Sequence, residues 1–320
     1  MQISKSNTDK IMRNTIVVWA GALICCALWG SAFPCIKIGY GLMNIPAGDS
    51  ASQILYAGYR FTLAGILTIL IGSVTQKRVL IPSKAAVPKI LWLSLLQTVI
   101  QYLFFYIGLA HTTGVKASII EGMNVFVALF VACLIFKQEK FTMSKIVGCV
   151  IGFVGVILVN INGGTNGTGI GLDAGFSIMG EGFILLSTVS YAFSSVYLKR
   201  FSKTENPVML SGYQFVLGGI IMSVCGLLAG GKVSGFDNGA AAGMLLWLAL
   251  VSAVAYSLWG ILLKYNPVSK VAVFGFMNPV FGVLLSAWLL GEHDSLGVNC
   301  LVSLVLVCIG IYVVNRNSSK

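Results

Sequence analysis

Gly58 to Ile66 reads GYRFTLAGI, and 154 residues later Gly212 to Ile220 reads GYQFVLGGI, identical at six of nine positions. Two stretches this alike and this far apart mean that one unit is used twice. Working outward, the offset holds without gaps: Tyr102 meets Tyr256, Lys116 meets Lys270, and Met123-Asn124 meets Met277-Asn278. Gly155 to Asn160 (GVILVN) pairs with Gly310 to Asn315 (GIYVVN) after one residue of slippage, while Trp29 and Lys37 pair with Tyr191 and Lys199 at an offset of 162. The difference in offset is absorbed by one longer loop near 41–52. A repeat of this length is too long for a solenoid and suits the duplicated halves of a polytopic membrane protein.

Composition points the same way. Of the 320 residues, 57% are hydrophobic and 10% charged, outside the range of a soluble globular chain. The formal charge of +11 does not indicate nucleic acid, because the basic residues fall in short clusters between apolar runs, where they orient helices in a bilayer. All eight cysteines lie inside apolar runs, with no CxxC and no histidine at ligand spacing, so they read as small apolar fillers. The basic start (Lys5, Lys10, Arg13) before an apolar run invites a signal-peptide reading. The pairing of Trp29 to Lys37 with a segment of the second half argues that the run is retained.

Runs long enough to cross a hydrocarbon core, about 20 residues each, lie near 16–38, 52–74, 89–110, 117–136, 143–161, 179–200, 207–229, 241–263, 271–290 and 296–314. The expected fold is therefore an all-α polytopic membrane protein with ten transmembrane helices. The first five-helix repeat covers 1–161, a linker loop 162–178, and the second repeat 179–320. Five is odd, so the second repeat must sit upside down relative to the first. Loop charge is an independent indicator: 17 basic residues fall on one side and three (Lys37, Lys116, Lys232) on the other, with Arg60 inside the second span. That bias places both termini in the cytoplasm of a bacterial-type plasma membrane, with the Gly/Asn/Thr-rich linker and the Glu292-His293-Asp294 turn facing outward.

Candidate functional residues are the polar and aromatic groups that sit at membrane depth. Arg60, near half-depth in the second span, costs about 2.5–3.5 kcal/mol there unless it faces protein or an aqueous cavity. It is either a structural arginine or a substrate contact, and its repeat mate Gln214 keeps the position polar. Glu121 lies well inside an apolar run, with Asn124 three residues on and on the same face of a continuous helix. It can bind a cationic group or carry a coupling proton, or it is a helix-end glutamate wetted by a vestibule. Glu181, near its helix start, reads as a cap. Asn278-Pro279 and Pro34 mark candidate kinks lining a cavity. Ser252, Tyr256, Trp259 and Leu263 form one helical face, and Gln97 and Gln101 another, as a pocket for an organic solute requires. Gly148, Gly152 and Gly155 form a small-residue stripe for close helix packing within the protomer. No Walker loop, HExxH, nucleophile elbow or dinucleotide fingerprint occurs, so no cofactor and no catalytic residue is assigned.

The segment ALWGSAFPCIKIG (Trp29, Gly30, Ser31, Phe33, Lys37), followed by Arg60-Phe61 and two five-helix halves, resembles the EamA-like branch of the drug/metabolite transporter superfamily. Leu290-Gly291-Glu292 adds weaker support, whereas Glu121, Gly122 and Val125 stand where that branch commonly has small or apolar residues and a proline. The resemblance implies a ten-helix secondary transporter, often an exporter of amino acids or other metabolites, with a central cavity between the halves. Spans 1–4 and 6–9 would surround that cavity and spans 5 and 10 lie outside it.

The leading expectation is a secondary transporter, exporting a small organic metabolite such as an amino acid by alternating access. Its expected substrate-binding residues are Trp29, Arg60, Gln101, Tyr102, Glu121, Asn124, Tyr256, Trp259 and Asn278. The expected partners are the metabolite and the lipid bilayer, with a proton as the candidate coupling ion if the protein is not a simple facilitator, and no nucleic acid. The alternatives are an intramembrane enzyme acting on a lipid, for which no catalytic pair stands at plausible spacing, and a non-transporting scaffold. Duplication with polar residues at matching depths favours transport over both.

Overall fold

Helices begin where the sequence supplies an acceptor for their free amides. The computed structural model describes residues 11–131, 135–136, 142–161, 176–266, 273–293 and 296–316. Asn14 caps α1 (Thr15–Leu42), accepting from the Ile16 amide at 2.9 Å, and Asp49 caps α2 (Ser50–Thr75) through the Ser52 amide at 3.0 Å. Thr113 does the same for α4 (Gly114–Glu121). Asn206, followed by Pro207 in the first turn, starts α8 (Pro207–Leu228), and Asn238 starts α9 (Gly239–Tyr265). Between these lie α3 (Val87–Ala110), α5 (Asn124–Phe130), α6 (Met143–Ile161) and α7 (Phe183–Phe201); α10 (Met277–Leu290) and α11 (Val298–Arg316) follow. Each side-chain cap satisfies amides that no helical carbonyl can reach.

The described residues contain helices and no strand. Five helices, α1, α2, α3, α8 and most of α9, are long and apolar enough to cross a membrane, and the apolar parts of α6, α10 and α11 are shorter. Large apolar side chains face outward, among them Val74, Leu228 and Trp288, whereas Gln53, Thr68, Gln97, Ser187, Gln214 and Ser286 are buried. This distribution is that of a chain whose solvent is lipid. Most of the linker (162–175), Lys270 and Asp294 lie outside the described residues.

The repeated stretch packs on itself. Gly58 of α2 lies against Gly219 and Ser223 of α8, and Gly65 against Gly212 and Val216. Gly58 and Gly212 are repeat mates, as are Gly65 and Gly219, so the contact maps onto itself when the halves are exchanged. Leu55 meets Gly226 while Gly72 meets Val208, so the mates run antiparallel. A Cβ added at Gly65 would stand 2.6 Å from the Gly212 carbonyl oxygen, and only glycine permits this approach. The α6–α11 pair repeats the device, with Gly155 against Ser303 and Gly310 against Gly148 and Gly152. Likewise α1 packs on α9 and α10, as α7 packs on α3 and α5. Antiparallel packing of repeat mates is the geometry that an inverted duplication produces.

Three elements depart from the expected continuous helices. The fourth span breaks: α4 ends at Glu121, and α5 starts only at Asn124. The Gly122 amide is shared between the Ser118 and Ile119 carbonyls at 3.3 and 3.1 Å, and the Met123 amide donates to Ile120 at 2.9 Å, a tightened last turn. Glu121 and Asn124 therefore flank a break rather than share the face of one helix. At the matching place of the second half a 3₁₀ turn (Val273–Phe276) runs directly into α10 at Met277, the mate of Met123. Pro279 accordingly sits in the first turn of α10 and not at a mid-span kink, because there its missing amide leaves no bond unmade. Pro34 does lie inside α1. Finally, α3 contains a π-helical turn at Ser94–Ile100, which turns Gln97 and Thr98 into the interior.

Candidate functional site

Two pairs of repeat mates meet at the junction of the halves. The Tyr102 and Tyr256 hydroxyls are 3.0 Å apart, and the Phe61 and Phe215 rings are 5.4 Å between centroids. Phe61 also lies 4.1 Å from the Tyr102 ring, and Phe215 4.9 Å from Tyr256. A residue can touch its own mate only near the axis that exchanges the halves, so these rings mark that axis.

Arg60 and Gln214 flank it unequally. Arg60 is 3% exposed, and its guanidinium donates to the Tyr106 hydroxyl at 2.7 Å, the Ser252 hydroxyl at 3.0 Å and the Leu248 carbonyl at 3.2 Å. Its carbon stands 5.0 Å from the centre of the Phe61 ring. Two of the three acceptors belong to α9, so one side chain ties the halves together. No carboxylate among the described residues pairs with Arg60, and Arg60 and Glu121 do not meet. In the other half Gln214 donates to Gln97 at 2.6 Å, while Ser94 donates to the Gln214 carbonyl at 3.1 Å. Tyr106 has Gly260 as its mate, so the charged arrangement exists in one half only.

The remaining candidates lie around the helix breaks. Glu121, 8% exposed, faces the side chains of Asn124 and Ser187, and its Oε2 has no hydrogen-bond partner. Tyr102, Tyr191 and Tyr256 are its electrostatic neighbours. Pro279 lies against Gly122, which brings Asn278 and its unpartnered Oδ1 to the same crossing of broken helices. Trp29 stacks edge-on against Tyr256 at 5.4 Å and Trp259 at 5.2 Å, with a buried Nε1 that has no acceptor. Gln101 is 3% exposed with an unpartnered Oε1. The structure thus joins Trp29, Tyr256, Trp259 and Tyr102 in one aromatic group, with Glu121 beside it. Arg60 stands apart, behind Phe61 and Tyr102. Tyr106 and Ser187 escaped sequence reasoning. The first was legible four residues after Tyr102 on one helical face, whereas a serine in an apolar run carries no signal of its own.

One end of the bundle is closed by ion pairs. Gly291, with φ +67°, ends α10 and turns Glu292 back, so that its carboxylate accepts from the Gly114 and Val115 amides at 3.1 and 3.0 Å and lies 3.9 Å from Lys37 Nζ. Glu181 accepts from the Ser177 amide at 2.8 Å, keeping its capping role. It also accepts from the Thr112 hydroxyl at 2.6 Å and stands 3.6 Å from Lys116. Lys37 and Lys116, two of the three basic residues of the sparsely charged side, are thereby paired. At the other end Lys89 pairs with Glu205 at 2.8 Å, and Asn206 donates to Gln76 at 2.7 Å.

An integral membrane protein whose repeat-related helices pack antiparallel, with polar side chains gathered at their junction, has an architecture that transporters use. Comparison with known proteins narrows the class. The model of the EamA-like transporter family matches residues 16–161 and 178–316, and the chain belongs to that family. It is 27% identical to an uncharacterized transporter of Archaeoglobus fulgidus, covering 93% of this chain and 98% of that one. It is 26% identical to the uncharacterized inner membrane transporter YedA of Escherichia coli, covering 89% and 88%, and 23% identical to the uncharacterized transporter YvbV of Bacillus subtilis, covering 91% and 89%. A solved crystal structure shares the fold, with a TM-score of 0.62 at 15% identity over 95% of this chain and 99% of that one.

Proposed function

We propose that the protein is a secondary transporter that exports a small organic metabolite of amino-acid size, its two halves rocking about the Tyr102–Tyr256 axis to expose a central site alternately to each side. The observation that carries this reading is that four of the nine buried polar side-chain atoms without partners among the described residues, Trp29 Nε1, Gln101 Oε1, Glu121 Oε2 and Asn278 Oδ1, belong to the candidate site residues. A buried polar group left unpaired costs about 1–3 kcal/mol, a cost that a bound solute removes by supplying the missing partner. Glu121, Asn124, Asn278, Gln101, Trp29, Tyr102, Tyr256 and Trp259 contact the solute in this reading. Arg60 holds the first half against α9 and acts on the site through Tyr102. The ten crossings and the cytoplasmic placement of both termini belong to the same proposal, supported by the loop charges.

The test is counterflow of radiolabelled amino acids and amines in proteoliposomes. Accumulation against a trapped unlabelled pool is the expected result, and its absence across the panel would sink the transport reading. Substrate-driven proton flux, compared between the wild type and Glu121→Gln, decides whether the carboxylate that contacts the solute also carries a coupling proton.

A further inference from the structure

Among the nine buried side-chain atoms without a hydrogen-bond partner in the described residues, Glu121 Oε2, Gln101 Oε1 and Asn278 Oδ1 are oxygens able to accept, and Trp29 Nε1 is a donor. A solute group that donates hydrogen bonds would satisfy these three oxygens. The Glu121 carboxylate interacts electrostatically with the Tyr102, Tyr191 and Tyr256 hydroxyls, and Trp29 packs on Tyr256 and Trp259 at 5.4 and 5.2 Å between ring centroids. A ring face attracts cations, and a carboxylate with a free oxygen completes an ammonium site. Arg60 does not pair with the carboxylate, since its guanidinium is bonded to the Tyr106 and Ser252 hydroxyls and the Leu248 carbonyl. Three of its five N–H groups donate to protein.

We infer that the central site recognises a protonated amine: the ammonium group of the solute is held by Glu121 Oε2 and by the amide oxygens of Gln101 and Asn278, with its apolar body against Trp29, Tyr256 and Trp259. This deepens the transport reading and rests on it for its biological meaning, but binding can be read without transport.

Three matched probes of one apolar body serve as the test: 2-phenylethylammonium, 2-phenylethanol and phenylacetate. Binding to the purified protein is followed both by tryptophan fluorescence and by thermal shift, which report ligand independently of flux. The expected result is saturable binding of the ammonium probe only. Glu121→Gln, which keeps shape and removes charge, should weaken it tenfold or more, because a hydrogen bond to a charged group is the strongest contact proposed. Trp259→Phe, which keeps a ring, should weaken it about fivefold. Equal binding of the three probes, preference for phenylacetate, no binding at all, or ammonium binding undiminished in a folded Glu121→Gln protein would each overturn the inference. Should Glu121→Gln fail to fold, the probe preference of the wild type and the Trp259→Phe affinity decide it. Ammonium binding without counterflow of any amine would keep the site and remove transport. Counterflow of neutral or anionic solutes without ammonium binding would do the reverse.

Discussion

Arg60 shows what a single side chain must do at membrane depth. Its guanidinium uses three nitrogens on three acceptors spread over α3 and α9, a geometry that a planar fork meets and a single ammonium point does not. Each hydrogen bond to a charged group contributes about 1.5–3 kcal/mol, so Arg60→Lys, which forfeits at least one, should lower the melting midpoint in detergent by an amount equivalent to about 2 kcal/mol. An unchanged midpoint would mean that the fork is not used. Asp49, at the loop end of α2, is the corresponding case in water. The Ser52 hydroxyl and amide hold its carboxyl below the usual carboxylate range, and the Ser52 hydroxyl in turn accepts from the Lys232 amide at 2.8 Å. A folded pKa that is depressed means a stabilisation present above the unfolded value of about 3.9 and lost as pH falls through the folded one. Asp49→Ala should therefore cost about 1 kcal/mol at neutral pH, with the deficit shrinking in acid. A deficit independent of pH would show that the cap does not act through its charge.

At the scale of elements, close approach and interruption organise the molecule. The α2–α8 crossing depends on four glycines that replace one another under exchange of the halves. Gly65→Val would drive a branched side chain into the Gly212 carbonyl and Val216, an overpacking that costs about 1–3 kcal/mol or more. The expected outcome is loss of the monodisperse peak in size-exclusion chromatography. Gly41→Ala, where an added Cβ meets nothing within 4 Å, should elute as the wild type does. If both variants behave alike, glycine at the crossing is not a packing requirement. The interruptions work differently: α4 ends at Glu121 in a tightened turn whose amides stay bonded, and α10 starts at Met277 out of a 3₁₀ turn. Such ends are tolerated where protein or a polar cavity meets them, and here Glu121 Oε2 and Asn278 Oδ1, both without a hydrogen-bond partner, lie beside them.

The whole molecule is a duplication whose halves have diverged in charge. Arg60 and Tyr106 face Gln214 and Gly260, and Glu121 faces Gly275, so opposite sides of one axis carry different chemistry. Inversion is visible in the antiparallel packing of α2 on α8 and of α6 on α11. The loop charges predict an orientation in the membrane: with 17 basic residues on one side and three on the other, reporter fusions after Lys84 and within 162–178 should report opposite compartments, the first cytoplasmic. The same compartment for both would contradict the inverted topology.

Sequence alone determined the class and the duplication, because these rest on quantities that add along the chain, apolar run length and the 154-residue offset, and its five runs per half made inversion an expectation. It also singled out the nine candidate side chains, since polar and aromatic residues at membrane depth are conspicuous among apolar ones. Tertiary structure decided which of them meet. That Tyr102 touches Tyr256 while Lys37 reaches Glu292 depends on where the exchange axis crosses each helix, and no local pattern encodes that position. The sequence read Glu121-Gly122-Met123-Asn124 as continuous helix, because the apolar run continues on both sides of them and contains no proline. The break forms where Gly122 packs against Pro279 and Val307 of the other half, a long-range contact outweighing local preference. Arg60 was likewise open between two roles until folding placed Tyr106, Ser252 and the Leu248 carbonyl around it: burial makes those donors seek partners, and only packing supplies them.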